Sequence, residues 1–424
     1  MRTKTLFILL LIFSSKPLFA WDELSVSRAL QIAREKNPQI NQLRQLIAAK
    51  EASWWASFGL ADPKISYLKE GIERSTGDGY TEKRWTVEQS LDFPLTTYYR
   101  LQKIAGEEEA LRSRLLAACL ALKVEIKSAY TELAFALELS HLRAEQLRIA
   151  RELRKAAITR VEAGESSELD LMKADILLAE SENDAEEANR LFHSARYTLF
   201  KIIGLEPEDQ TYNISFPDTL EFVNVEIDQE SVTSTIENQP EYFSATQEVQ
   251  SAGYRLNEAW STFLPKLDIS YYQQNYLGGY DNYGYQIGFS FPLWFVFNQR
   301  GEIQEAKARE RFFEWRRTDI SLELKKNLEI TWHSYEVAKI AIERYHNQIR
   351  GKAARLRDLT LEGYRVGEID QLTLLEAQRT YLLSEKSYFE VLRTYYLRLI
   401  ELEKYLQKDL VFAGEPVNCL EEQQ

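Results

Sequence analysis

The apolar positions of this chain fall into three patterns. The first is a long helical one. Leu115, Cys119, Leu122, Ile126, Ala129, Leu133 and Ala136 follow one another in alternating steps of four and three, and so do Leu324, Leu328, Thr331, Tyr335, Ala338, Ile342, Tyr345 and Ile349. Such steps form the heptad seam of coiled-coil packing. No proline interrupts either stretch between Pro94 and Pro207 or between Pro292 and Pro416, where one would cost about 3 kcal/mol inside a helix. A helix from Thr97 to Val161, about 65 residues, would run roughly 95 Å. The second pattern has period two and predicts four strands in two pairs. Pro63–Glu70 pairs with Lys83–Leu91, where Trp85, Val87, Gln89 and Leu91 alternate with Thr86, Glu88 and Ser90. Leu267, Ile269 and Tyr271 alternate with Lys266, Asp268 and Ser270; Tyr283, Tyr285, Ile287, Phe289 and Phe291 alternate with Gly284, Gln286, Gly288 and Ser290. The turns hold Gly71, Gly77, Asp78 and Gly79 in the first pair and Gly278, Gly279 and Asp281 in the second. The third pattern is the unbroken apolar run Leu6–Phe13, preceded by Arg2 and Lys4 and followed by Leu18-Phe19-Ala20. It reads as a signal peptide over residues 1–20. It falls short of the about 20 residues of a spanning helix, and a retained anchor is the competing reading.

The patterns occur twice. Pro38, Pro63, Pro94 and Gly164 return as Pro240, Pro265, Pro292 and Gly367, at an offset near 200 residues, which marks a duplication into two halves rather than a solenoid. The local words agree: Asn37-Pro38 with Gln239-Pro240, Asp62-Pro63-Lys64-Ile65 with Leu264-Pro265-Lys266-Leu267, and Phe93-Pro94-Leu95 with Phe291-Pro292-Leu293. Each half reads as an amphipathic helix (Glu23–Trp55, Asp228–Trp260), a strand pair, and a long helical hairpin. The expected organisation is a first repeat over 21–204, a connector over 205–227, a second repeat over 228–410 and a tail over 411–424.

Gly164 and Gly367 each stop a helix, since glycine accepts the left-handed conformation after a helix C-terminus. Three residues later stand Ser167 and Asp370, good N-caps for a returning helix. These four residues define the tips of two antiparallel hairpins.

Beyond the leader no stretch is long and apolar enough for a spanning helix, so any span must be made of strands. The strands are about 8–11 residues long, the length that crosses a bilayer in a tilted barrel. Tyr80, Trp85, Tyr276, Tyr280, Tyr283 and Trp294 crowd their ends, where aromatic rings favour the membrane interface. Four strands cannot close a barrel and open edges cannot face lipid. Three copies give twelve strands, so a homotrimer follows once the strands lie in the membrane. The competing reading is a soluble pair of hairpins packed on the coiled coil.

Composition narrows the function. The formal net charge is −13, and about −16 (−13 − 3) without Arg2, Lys4 and Lys16, which makes the chain a poor partner for nucleic acid. Cys119 and Cys419 read as incidental thiols rather than a framework. His141, His193, His333 and His346 show no metal-ligand spacing and read as helix residues. There is no phosphate-binding glycine loop and no GxSxG, so neither enzymatic chemistry, metal site nor cofactor is expected.

Leu30 through Asn37-Pro38, Asp62-Pro63, Val87-Glu88-Gln89 through Phe93-Pro94, Tyr364-Arg365-Val366-Gly367 and Leu374-Leu375-Glu376-Ala377-Gln378 stand in an order that resembles the outer membrane factor (TolC-like) efflux family over nearly all of the chain beyond the leader. The resemblance implies a mostly α protein with membrane β: helical hairpins forming a periplasmic α-barrel, continuous with a trimeric 12-stranded β-barrel in the outer membrane. It implies a passive exit duct served by a periplasmic adaptor and an inner-membrane pump. The Asp62-Pro63 and Val87-Glu88-Gln89 words look more like the heavy-metal efflux branch. By the family pattern Asp170 and Glu376 face the pore, Tyr364 contacts the gate, and the tips at Gly164, Ser167, Gly367 and Asp370 dock the adaptor. Ile369 stands where the family often places a basic gate partner. The alternatives are a periplasmic adaptor or a coiled-coil structural protein without a pore; the two hairpins and the aromatic strand pairs speak against them.

Overall fold

A computed structural model describes residues 22–412, apart from 73, 76, 78, 165, 208–211, 214–219, 228–235, 278 and 367. The expected leader, Gly367, Cys419 and the tail beyond 412 lie outside the described residues. The first half holds β1 (Asp22–Glu23), α1 (Val26–Lys36), α2 (Pro38–Ala56), β2 (Lys64–Glu70), β3 (Glu82–Leu91), α3 (Pro94–Glu162) and α4 (Glu168–Ile203). Then follow β4 (Tyr212–Asn213), α5 (Pro240–Ser261), β5 (Lys266–Tyr276), β6 (Tyr280–Ser290), α6 (Phe295–Arg344), a π turn (Tyr345–Ile349), α7 (Arg350–Arg365) and α8 (Gln371–Leu406).

The single helix expected over Glu23–Trp55 is two helices. Asn37 is extended and caps α2, its side chain accepting from the N–H groups of Gln39 and Ile40 at 2.9 and 3.1 Å, while Pro38 supplies the first helical position, where its missing N–H costs nothing. The amide of Asn37 donates to Ile202 O at 2.8 Å, tying the end of the returning helix to this break. The second half repeats the device: Gln239 donates to Tyr405 O at 2.7 Å. Behind each of these carbonyls the helix ends in a left-handed residue, Gly204 (φ 81) and Gln407 (φ 53). At Gly204 a Cβ would stand 2.6 Å from Lys36 O, so only glycine fits; at Gln407 the same conformation is held by a residue that adopts it at a cost. The two proline breaks thus share one kind of contact.

The first helix of the long hairpin exceeds its expected span, with 69 residues, about 100 Å at 1.5 Å per residue. All seven members of its seam are buried. In the second half the seam is buried from Leu324 to Ile342, but Tyr345 and Ile349 lie in the π turn and are only half-buried. A π turn holds one residue more than the helical repeat, and the buried positions resume one step later at Ala353 and Thr360. Period counting alone does not anticipate that slip.

The connector meets the second repeat through tyrosines. The hydroxyls of Tyr396, Tyr395 and Tyr335 donate to the carbonyls of Glu221, Val223 and Val225 at 2.6, 3.0 and 2.6 Å. Every second carbonyl of an extended stretch is thus caught. Burial pushes the hydroxyls of Tyr335 and Tyr396 up to about 12, which keeps them protonated donors. Residues 22–23 pair in parallel with 212–213.

Cys119 corrects the reading of an incidental thiol: it is 8 % exposed and disulfide-bonded.

Candidate functional site: a two-faced sheet above paired helical tips

The four long strands form one antiparallel sheet in the order β2-β3-β5-β6. Directly paired residues share a face, so the register sorts the side chains. Ile65, Val87, Tyr271 and Tyr285 form one row across the sheet, and Tyr67, Trp85, Gln273 and Tyr283 the next. Leu91, Leu267 and Phe289 lie on the same face. The other face carries Lys64, Glu88, Ser270 and Gln286 in one row, Ser66, Thr86, Tyr272 and Gly284 in another, and Ser90, Asp268 and Gly288 in a third. The apolar face is open to the surroundings: Ile65, Tyr285, Ile287 and Phe289 are each more than 60 % exposed. The second pair turns more tightly than expected, and Asp281 belongs to β6 rather than to the turn.

Where the sheet meets the helices, charges from both repeats interlock. Arg100 donates to Asp92 and to Glu258, both at 2.9 Å; Lys103 reaches Glu258 at 2.8 Å and Lys266 reaches Asp92 at 3.1 Å. Burial alone would raise the Asp92 carboxyl, but the hydrogen bonds and charges of Arg100 and Lys266 outweigh it and hold the group below its ordinary value.

At the opposite end are the hairpin tips. Gly164 takes φ 73 with open space around the position of a Cβ, so glycine serves the turn and not a close contact. Ser167 begins α4 as expected. Asp170, expected to face a pore, turns its carboxylate back on this cap, accepting from Ser166 Oγ, Ser167 Oγ and Ser167 N at 2.9, 3.0 and 3.4 Å. Those hydrogen bonds, Ser166 first, lower its pKa. Asp370 caps α8 by accepting from Thr373 N at 2.9 Å, and hydrogen bonds from the Thr373 side chain and then its N–H lower its pKa likewise. Glu376 is exposed on α8, along a groove of about 680 Å³ between the two hairpins whose walls include Gln146, Lys173, Ile176, Arg379 and Leu383.

Tyr364 is brought to the first hairpin: its hydroxyl accepts from Arg160 Nη1 at 3.0 Å. This contact joins the last turn of α3 to the last turn of α7 across 204 positions of sequence. Arg160 escaped the sequence reading, as did Gly363, where a Cβ would stand 2.6 Å from Ile369 Cδ1. Ile369 is thus used as a lid on the tip. Among the described residues no group of three or more His, Cys, Asp or Glu side chains is placed to hold a metal ion, and no helix is long and apolar enough to cross a membrane.

Residues 232–407 match the family model described as outer membrane efflux protein. Over this stretch the chain is similar to the outer membrane efflux proteins. Solved structures share the fold over almost the whole length. A membrane protein from Pseudomonas aeruginosa has a TM-score of 0.76 at 16% identity, covering 91% of this chain and 91% of that one. The VceC outer membrane protein of Vibrio cholerae has 0.74 at 14%, with 90% and 95% covered. The CmeC outer membrane channel of Campylobacter jejuni has 0.72 at 18%, with 90% and 85% covered. No curated protein matches the sequence significantly. The expected mixture of long hairpins and four strands is the fold observed.

Proposed function

We propose that three copies of this chain close into one passive efflux duct, a 12-stranded barrel in the outer membrane continued by a helical tunnel in the periplasm. The carrying observation is the register of the sheet: apolar rows on one face, polar rows on the other, with β2 and β6 at its edges. An open edge cannot face lipid, and joining β6 of one copy to β2 of the next removes every edge. The helices support the same closure. Trp315, Leu322, Ile330 and Val337 make an exposed apolar stripe along α6, and Leu169, Met172 and Ile176 another on α4. Stripes of this spacing on long helices seat further helices, and neighbouring copies supply them.

An inner-membrane pump and a periplasmic adaptor deliver the cargo, and the adaptor docks at the tips around Gly164, Ser167, Gly367 and Asp370, where a second helical hairpin can fill the grooves. In the closed state Arg160–Tyr364 latches the two hairpins of each copy. Glu376 appears three times in the trimer, as does Asp170, and such rings select by charge; of the two, Glu376 is the one not already engaged in a cap. The Asp62-Pro63 and Val87-Glu88-Gln89 words favour metal ions as cargo.

The test is purification from outer membranes in detergent. A trimer that dissociates on heating and conducts ions in a planar bilayer is expected. A stable monomer that stays soluble without detergent overturns the reading.

A further inference from the structure

α3 and α5 lie close together because the residues between them are small. Ser251 Oγ donates to Lys103 O at 2.9 Å and Ser244 Oγ to Ala110 O at 3.0 Å. A Cβ on Gly106 would stand 3.2 Å from that of Ser251. Longer side chains from α2 and α6 stand up beside this seam, and a cavity of about 300 Å³ is left among the four helices. The buried Ala110, Ser251 and Ala252 form its floor, and Leu111 and Phe313 add apolar wall. Its size is at the low end of cavities that hold small organic molecules.

The charges around it do not balance. Lys50 pairs with Glu107. Glu248 is shared between Arg114 and Arg316, the second at 3.3 Å. Glu305 is shared between Arg309 at 2.8 Å and Arg255 at 3.5 Å. Four half-exposed guanidinium groups thus stand on two carboxylates, in a chain whose formal net charge is −13. The further acids Glu302 and Glu310 are not among the residues that line the cavity. Burial, and then the charge of Arg316, hold the Arg114 guanidinium below its ordinary pKa. Arg114, Arg255 and Arg309 all line the cavity, and each carries five N–H groups in a fork that fits a carboxylate.

We propose that this cavity binds a small organic carboxylate, its charged head at Arg114, Arg255 and Arg309 and a flat apolar body of one or two rings against Phe313 and Leu111. The excess of guanidinium groups selects the anion, and the ring of Phe313 favours a flat body beside it. Because the walls come from α2, α3, α5 and α6, an occupant ties these helices together and stabilises the folded chain by mass action. The site belongs to a single copy, so it depends neither on closure into a duct nor on the cargo that passes.

The test is equilibrium dialysis of the full-length chain in detergent against 2-naphthoate, its neutral amide and inorganic phosphate, with protein-free micelles subtracted and thermal melts in parallel. Saturable binding of naphthoate with a raised melting temperature is expected, and the amide should bind about tenfold more weakly or less. Arg114→Gln and Arg309→Gln should each weaken naphthoate about tenfold. Glu305→Gln, which releases Arg255 and Arg309, should tighten it, a gain that misfolding does not produce. Arg190→Gln, on an exposed helix face, should leave it unchanged. The proposal is overturned by no saturable binding at about 10 mM, by amide binding equal to naphthoate, or by arginine variants that bind as wild type. Phosphate binding as tight as naphthoate overturns it too, in favour of a bare anion site.

Discussion

The outgoing helix of the first hairpin and that of the second differ in continuity. In the first, α3 runs unbroken for 69 residues. In the second, 50 residues of α6 lead into a five-residue π turn and 16 residues of α7. Helix-to-helix hydrogen bonding rearranges at a π turn, and kinks in long helices concentrate there. The second helix is rebuilt just beyond it: Arg350 donates to both oxygens of Glu385 from 2.9 to 3.2 Å and stacks 4.3 Å over Tyr388. The ends of the two hairpins are alike, since Asn37 and Gln239 make the same contact, while their middles differ in phase. The difference predicts a rigid post in the first hairpin and a point of give in the second.

The largest test of the difference between repeats is Lys127 of α3, which is fully buried and donates to Glu403 Oε2 at 2.6 Å. Lys127→Met leaves Glu403 buried without its partner, and breaking a buried pair costs about 3–5 kcal/mol. The residue 202 positions on (127 + 202) is Glu329, which is exposed, so Glu329→Ala should change stability by about 0.5 kcal/mol or less. Thermal melts of the detergent-solubilised protein compare the two. Equal losses would mean that the repeats are joined symmetrically.

Next come the helix ends. Gly204→Ala forces a Cβ against Lys36 O in a left-handed conformation and should cost about 2 kcal/mol or more. Gln407→Gly at the matching position should instead stabilise by about 1 kcal/mol, read by the same melts. Hydrogen exchange probes the phase slip. Amides of 345–349 should exchange about tenfold faster than those of 143–147 in α3, a difference near 1.4 kcal/mol in local opening. Equal protection would remove the point of give.

At the tips, Tyr364→Phe deletes the acceptor of Arg160, a hydrogen bond to a charged group worth about 1.5 kcal/mol. Resting conductance in bilayers should rise, and Tyr364→Ala should match it rather than exceed it greatly. The smallest effect is at the junction, where the repeats share charges evenly. The folded pKa of Asp92 lies below its ordinary value, so its stabilising contribution is whole above about pH 4 and is lost as pH falls through the lowered value. Acid titration of wild type and Asp92→Asn should differ only on the acid side of that point.

Much of this was legible beforehand because it rests on local rules. Prolines and glycines punctuate the chain, period two marks the strands, and Ser167 and Asp370 cap where caps were expected. The break at Asn37 was within reach of the same rules, since an Asn before Pro is a cap followed by a favoured first position. Arg160–Tyr364 was not: both residues are ordinary in their own helices, and only the folding together of two hairpins makes them neighbours. The cap contacts of Asp170 were likewise within reach, since an acid three residues after Ser167 completes a capping box.

The sequence alone determined the hairpins, the four strands and the alternation of greasy and polar side chains, because each depends on neighbours within one element. Tertiary structure decided the register that gathers those side chains into two opposed faces, the π turn, and the buried Lys127 that ties α3 to Glu403, Asp409 and Val411. Those depend on which element lies beside which, a choice made by packing across some 200 residues or more and not by any local period.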